Sequence, residues 1–434
     1  MAIFLGAKGG DILALRATTE LVNTLKAKLG EKMAYLLADE ELELLRGVQE
    51  MLGEELAFED GYVAEFTGAL SELERAADAA TLSDLHHRFH RLAADYFKRR
   101  GSVVALHSLC NSYQDGLVRK ALLLAEQVLA LDGMGRPPVP YCWLAAGSAG
   151  RLEQTFCIDP SYVLIYGDTP DDAGYFEKFV YQVLAFLERI GLVKNGGTAT
   201  VMKSLWHGSR TEWRREIVAA PVAEERERLD ELIRRADLRL IYGAEALAEE
   251  MIGIVRAMLD FQQGKLRETS KNVAMTSRIR DTVSFPLPAL REMGKGIPEM
   301  PAGLDFFRRL RVERSGRHRG EFDLEQFALA PLVTNVRMLA SSCALHETST
   351  ISRIKGLQDR GHLSVELTDR LLRAYHDFTC LKVAQQLKKG CENEHNCFIN
   401  PKNLTENEEQ RLRNGLETVS GLAKIAYLFY TEQE

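Results

Sequence analysis

The sequence predicts an α+β protein in which a small mixed sheet lies between an N-terminal helical module and a C-terminal helical bundle. Two short runs, "YCWLAA" from Tyr141 and "SYVLIY" from Ser161, are rich in aromatic and branched residues and bounded by turn-formers, as buried strands are. The first eighty residues carry apolar positions at helical spacing: Leu21, Leu25 and Leu29 recur every fourth position, and "EELELLRGVQEML" continues the pattern with acids opposite. After "DLRLIYG", Asp237 to Gly243, nearly everything has helical periodicity, apart from a loop-like stretch from Phe285 to Gly320. At 434 residues the chain is long enough for two or three domains, and the shifts in pattern place them at 1–80, 81–260 and 261–434.

Each element has a local reason. Thr81 followed by Asp84 offers a helix start, and "LHHRFHRLAADYFKRRG" keeps its apolar residues on one side until Gly101. A second helical run, Leu109 to Leu131, ends in the Gly/Pro linker "DGMGRPPVP", which delivers the chain to the first strand. The second strand is followed by a helix from Asp172 to Arg189 and then by a strand around "TATVM" near Val201. Near the C-terminus Thr405 and Glu408 form a capping box that opens an amphipathic helix through Leu412, Leu416, Val419 and Leu422.

Composition narrows the class. With 46% hydrophobic and 27% charged residues the chain matches ordinary folded, water-soluble proteins. Its seven cysteines, odd in number and irregular in spacing, make no disulfide framework, and only "AIFLG" precedes Lys8, so a reducing cytoplasm is the expected compartment. The most apolar run, "ALLLAEQVLAL" from Ala121 to Leu131, is interrupted by Glu126 and Gln127 and is too short to span a bilayer. The net charge of −7 argues against a general nucleic-acid binder. It is unevenly placed, since Glu31 to Asp78 carries fourteen acids against three bases and the remainder of the chain is about +4. That acidic face is a solvated helix surface or a docking surface for a basic protein partner.

The stretch "AAGSAGRLEQTFCIDPSYVLIYGD", Ala145 to Asp168, carries the chemistry. A Gly-Ser pair directly after a buried strand lets backbone approach a ligand and presents amide hydrogens and a hydroxyl to a triphosphate. On those grounds Gly147 and Ser148 are the expected phosphate-binding residues, with Arg151 adding a charge-assisted contact. Two carboxylates spaced i, i+2 on the following strand would share one face and hold a divalent metal. Asp159 fits the first position as catalytic residue and metal ligand; Ser161 occupies the second. Asp168 is nine residues of strand away from Asp159, at about 3.3 Å each, and cannot substitute.

These residues resemble the nucleotidyltransferase family related to protein-PII uridylyltransferase, in which a G-S-x-G-R-x-E-Q-T segment precedes a D-x-D strand. Gly147, Ser148, Gly150, Arg151, Glu153, Gln154, Thr155 and Asp159 match. The resemblance continues through "VMKSLW" with Trp213, "DLRLIYG", "FDLEQFALAPLVTNVRMLA" at Phe322 and "INPKNL" at Ile399, covering roughly Ser83 to Tyr430. It implies a nucleotidyltransferase domain followed by a helical substrate-binding domain, magnesium as cofactor, a nucleoside triphosphate as substrate or ligand, and transfer of a nucleotidyl group to a protein or small-molecule acceptor with release of pyrophosphate. Sensor domains that commonly stand in front of this pair are replaced here by the acidic helical module. The departures from the family pattern cluster at the site: Ser161 replaces the second carboxylate, Pro160 removes a backbone donor, and "LW" stands where the family has Asn-Pro. The active site therefore reads as degenerate, and a non-catalytic nucleotide-sensing or scaffold protein of the same fold is the alternative.

Other constellations compete less well. "AGSAG" approaches a G-x-S-x-G nucleophile elbow, but Ala146 breaks the first glycine and the chain lacks alternating βα units. His86 and His90 lie one helical turn apart without an evident third ligand and read as surface histidines; Cys391, His395 and Cys397 match no common zinc spacing. "FFRRLRVERSGRHRG", Phe306 to Gly320, holds six arginines and His318 against Glu313 alone, as either a solvated loop or a clamp on an anionic ligand.

Overall fold

The computed structural model describes residues 39–157, 161–168, 173–192, 205–219, 234–261, 303–305, 308–390 and 397–431. The chain divides into two compact units, one ending at Lys120 and the other beginning at Ala121.

The first unit is helical. Helix α1, Asp39–Arg75, is followed by α2, Ala79–Arg100, and by α3, Val103–Leu131, whose first part belongs to this unit. Asp78, not Thr81, caps α2: its carboxylate accepts hydrogen bonds from the Thr81 amide at 2.8 Å and the Thr81 hydroxyl at 3.1 Å. Gly101 closes the helix in the left-handed conformation, φ 62°, donating its N–H to Phe97. Packing between the helices is aromatic. Phe89 stacks on Tyr113 at 4.0 Å, a geometry worth about 0.5–1.5 kcal/mol beyond area burial, and Tyr62 meets Tyr96 at 4.2 Å. His86, expected at the surface, is buried beside Tyr113, because Leu82, Leu85 and Phe89 turn the same face of α2 inward. The boundary expected between residues 80 and 81 falls in the first turn of α2, a helix that packs on α1.

The second unit holds the sheet. Strands β1, Tyr141–Ala145, and β2, Tyr162–Tyr166, form where their aromatic and branched runs predict them, and both are buried along their whole length. Two further strands, β3 at Trp206–Ser209 and β4 at Arg239–Gly243, complete the order β3-β2-β1-β4. β1 is antiparallel to β2 and β4, whereas β2 and β3 are parallel, so the sheet is mixed. The strand expected around Val201 lies outside the described residues. Helix α5, Ala173–Ile190, covers the sheet, stacking Phe176 on Tyr166 at 4.2 Å and Phe179 edge-on to Tyr141 at 5.1 Å. The single helical turn Gly147–Gly150, called α4, stands between β1 and β2; α6, Arg210–Ala219, and α7, Glu245–Phe261, flank β4 in the chain.

The C-terminal half is a bundle. A two-residue strand β5, Phe322–Asp323, pairs with β6, Phe398–Ile399, and leads through a π-helical turn, Glu325–Leu329, into α8, Ala330–Ser342. Helices α9, Thr350–Asp359, α10, Val365–Lys389, and α11, Glu406–Thr431, follow. The capping box before α11 is formed as expected: Glu408 accepts from the Thr405 amide at 2.8 Å and donates its own amide to the Thr405 hydroxyl at 3.3 Å. Small mixed sheet and helical flanks together make the fold α+β. No described helix is long and apolar enough to cross a membrane. Cys157 is disulfide-bonded, a departure from the expectation of reduced thiols; Cys110, Cys142, Cys343, Cys380 and Cys397 are free.

Candidate functional site

The Gly-Ser turn is positioned by β1 and β2. The antiparallel register pairs Ala145 with Tyr162, and the next residue out, Ala146, donates its amide to the Ser161 carbonyl at 2.8 Å. Gly147 then turns the chain with φ 56°, and a Cβ there would stand 3.5 Å from both Cβ and Oγ of Ser161. The register thus brings Ser161 directly against the turn, at the position where the family pattern has a second carboxylate. Asp159 and Pro160 lie outside the described residues. Asp168 sits at the opposite end of β2, where it accepts the Thr211 amide and hydroxyl, both at 2.9 Å, and caps α6.

The turn closes on itself through Gly150 N–H to Ala146 at 3.0 Å, Arg151 N–H to Gly147 at 3.0 Å and Glu153 N–H to Ser148 at 2.8 Å. Its first amides have no partner within the turn, as at any helix start. Gly150 is irreplaceable for a different reason: a Cβ would fall 2.0 Å from the Asp237 carbonyl oxygen and 2.9 Å from that of Ala145. The chain at Asp237 therefore packs directly on the back of the turn. Arg239 adds a hydrogen bond of 2.9 Å to the Ala149 carbonyl.

Asp237 is the centre of an ion cluster. It is 0% exposed and receives three guanidinium groups: Arg151 at 3.0 Å and Arg337 at 2.8 Å on Oδ2, and Arg353 at 2.7 Å on Oδ1. Arg151 also pairs with Glu153 at 2.7 Å, and the other oxygen of Glu153 accepts the Thr350 amide at 2.5 Å. Arg353 Nε donates to the Glu347 carbonyl at 2.7 Å. Burial pushes the Asp237 carboxyl up, but Arg337, Arg353 and Arg151 outweigh it and hold it below the ordinary carboxylate value. For Arg151, burial works against the charge while Glu153 and Asp237 more than offset it. Arg337 comes out the other way: burial lowers it to about 10, Asp237 opposing and the neighbouring Arg151 and Arg353 adding to the fall. Three guanidiniums against the carboxylates of Asp237 and Glu153 leave one net positive charge in a desolvated place.

Of the expected site residues, Gly147, Ser148 and Ser161 lie together at the ends of the two central strands, while Arg151 directs its guanidinium inward, into the cluster. Leu152, between the two paired residues, is held at φ 58°, a conformation that bulky residues avoid. Asp237 lies in "DLRLIYG" and Arg337 in "FDLEQFALAPLVTNVRMLA", whereas Arg353 lies outside the stretches that carry the resemblance, and nothing local marks the role of any of the three. Their partners are 116 residues apart in sequence for Asp237 and Arg353, and 197 for Glu153 and Thr350. A second ion pair, Glu325 on the π-helical turn with Lys382 of α10 at 2.9 Å, holds the bundle near the same cluster, and Lys382 depresses the Glu325 carboxyl. Among the described residues no group of three or more His, Cys, Asp or Glu side chains could hold a metal ion.

Residues 87–226 match a family described as "putative nucleotidyltransferase", and residues 288–430 match one described as "putative nucleotidyltransferase substrate binding domain", together about two thirds of the chain. The chain belongs to this nucleotidyltransferase family. No curated protein matches it. The first match contains the Gly-Ser turn, Ser161 and β3, and the second contains Arg337, Thr350 and Arg353. The ion cluster is therefore the seam between the two family segments.

Proposed function

We propose that this protein binds a nucleoside triphosphate at the Gly147–Gly150 turn and acts as a nucleotide-responsive member of its family rather than as an efficient transferase. The observation that carries the reading is Ser161, fixed against Gly147 by the Ala146 hydrogen bond. A neutral hydroxyl in this place is a poor ligand for magnesium, a hard cation normally held by anionic oxygens. The residues present do not fit a catalytic magnesium ion, with Asp159 as the one carboxylate the D-x-D pattern retains, and no transfer step is derived through one. Phosphate binding falls to the amides opened at Gly147 and Ser148 and to the Ser148 hydroxyl. Arg151, committed to Glu153 and Asp237, anchors the turn from behind. A protein partner would then read the occupied or empty turn.

The test is a thermal-shift and calorimetric screen of the four ribonucleoside triphosphates, with and without magnesium, on wild type and Gly147→Ala. Ligand at about a hundred times its Kd stabilises by about 2.7 kcal/mol. Gly147→Ala, which forces a Cβ onto a positive-φ residue beside Ser161, should remove that shift. No shift with any nucleotide would sink the binding site; rapid magnesium-dependent pyrophosphate release would sink the regulatory reading in favour of a transferase.

A further inference from the structure

The arginine-rich segment after residue 307 is a built hairpin. Glu313 donates its amide to the Glu321 carbonyl at 2.9 Å and Gly320 returns one to Glu313 at 2.8 Å, closing a stem. The base is pinned by His318, whose ring stacks on Phe398 at 3.8 Å and 15° and whose Nδ1 lies 2.6 Å from the Glu321 carboxylate. Lys389, at the end of α10, reaches the same base, 3.0 Å from the Phe398 carbonyl and 3.7 Å from Glu321.

The six arginines divide into two sets. Arg308 pairs with Glu417 at 3.3 Å, Arg309 with Asp305 at 3.3 Å, and Arg311 lies over the Phe327 ring at 6.0 Å, so these three tie the segment down. Arg314, Arg317 and Arg319 stand exposed on the tip, with no carboxylate partner among the described residues. Between them Gly316 takes φ 77°, and the amides of Arg314, Ser315, Gly316 and Arg317 donate to no described acceptor. Three guanidinium forks around a turn of open amides supply far more donors than the two oxygens of a carboxylate can accept, whereas a phosphate chain offers several oxygens at once.

We propose that the Glu313–Glu321 hairpin tip is a second anion site, which takes phosphate groups through Arg314, Arg317 and Arg319. The phosphates come from a compact polyphosphate such as a nucleotide tail, or from the diester backbone of a nucleic acid; the net charge of −7 works against long-range attraction of the latter.

The experiment measures binding of inorganic tripolyphosphate, single-stranded oligouridylate and polyglutamate to three full-length proteins. These are wild type, the tip variant Arg314→Ala/Arg317→Ala/Arg319→Ala, and the base variant Arg308→Ala/Arg309→Ala. The Gly-Ser turn is intact in all three, so differences report on the hairpin alone. The tip variant should bind a phosphate probe about tenfold more weakly or worse, with the base variant within about twofold of wild type. Loss confined to tripolyphosphate identifies a compact ligand. Loss for oligouridylate as well, with a logarithmic salt slope of about −2, identifies a backbone. The proposal is overturned if wild type binds neither phosphate probe, if the tip variant binds both as wild type does, or if polyglutamate alone is bound and lost, which would mark an acidic protein as the partner.

Discussion

Asp237→Asn is the most informative single change, because it removes one charge and almost no volume. In the wild type both oxygens of Asp237 accept from arginines, two on Oδ2 and one on Oδ1. An asparagine can present its oxygen to only one side, and its amide group then points N–H at N–H on the other. The charge balance also shifts, from three guanidiniums against two carboxylates to three against Glu153 alone. Removing one partner of a buried pair costs about 3–5 kcal/mol. At roughly 2–3 °C per kcal/mol for a unit of this size, the transition of the second unit should fall by about 6–15 °C. Arg337→Met is the counterpart. It takes one hydrogen bond from Oδ2 but brings the cluster to neutrality, so about 1–2 kcal/mol is expected. Calorimetric melts of wild type and both variants at neutral pH decide the matter. If Arg337→Met proves as damaging as Asp237→Asn, or if Asp237→Asn costs under about 1 kcal/mol, the account of an overcharged cage is wrong. The pH profile supplies a further check. A carboxyl held below its unfolded value of about 3.9 stabilises above that pH, and the stabilisation is lost as pH falls through the lower folded value. The acid limb of wild-type stability should therefore flatten in Asp237→Asn.

Leu152→Asn keeps the left-handed backbone with a residue that tolerates it, and should raise stability by about 0.5–1 kcal/mol in denaturant melts; a loss would mean that the leucine side chain contributes more than its conformation costs. Ser161→Asp restores the second carboxylate beside Gly147: without metal the variant should melt lower than wild type, and millimolar magnesium should restore it, an effect that Asp159→Ala should cancel. Equal melting with and without magnesium would show that the missing carboxylate is not what the site lacks.

Sequence reading reached the parts of the fold whose causes are local. β1 and β2 are continuous runs of aromatic and branched residues, and the Thr405–Glu408 box is four residues of reciprocal hydrogen bonding, so both were legible. β3 was not, because Trp206–Ser209 carries no strand-forming run and exists by pairing in parallel with β2. The cap of α2 is ambiguous in sequence, since Asp78 and Thr81 both have capping chemistry and only the hydrogen bonds tell them apart. At the site, Gly147, Ser148 and the Ser161 substitution could be read from one stretch. The inward turn of Arg151 could not, because it depends on Asp237, Arg337 and Arg353, which no spacing rule connects.

The cage around Asp237 also has a place in time. Chains emerge from the N-terminus, so the Gly-Ser turn and Asp237 exist long before Arg337, Thr350 and Arg353 have been synthesised. Until then Asp237 has only Arg151 for company and Glu153 lacks its amide donor, while the closure of contacts separated by 116 and 197 residues awaits α9. A nascent or prematurely terminated chain ending before α9 would have every residue of the Gly-Ser turn without the Thr350 and Arg353 contacts to Glu153 and Asp237 behind it. The full bracing of this turn is thereby a property only of a chain that has reached α9.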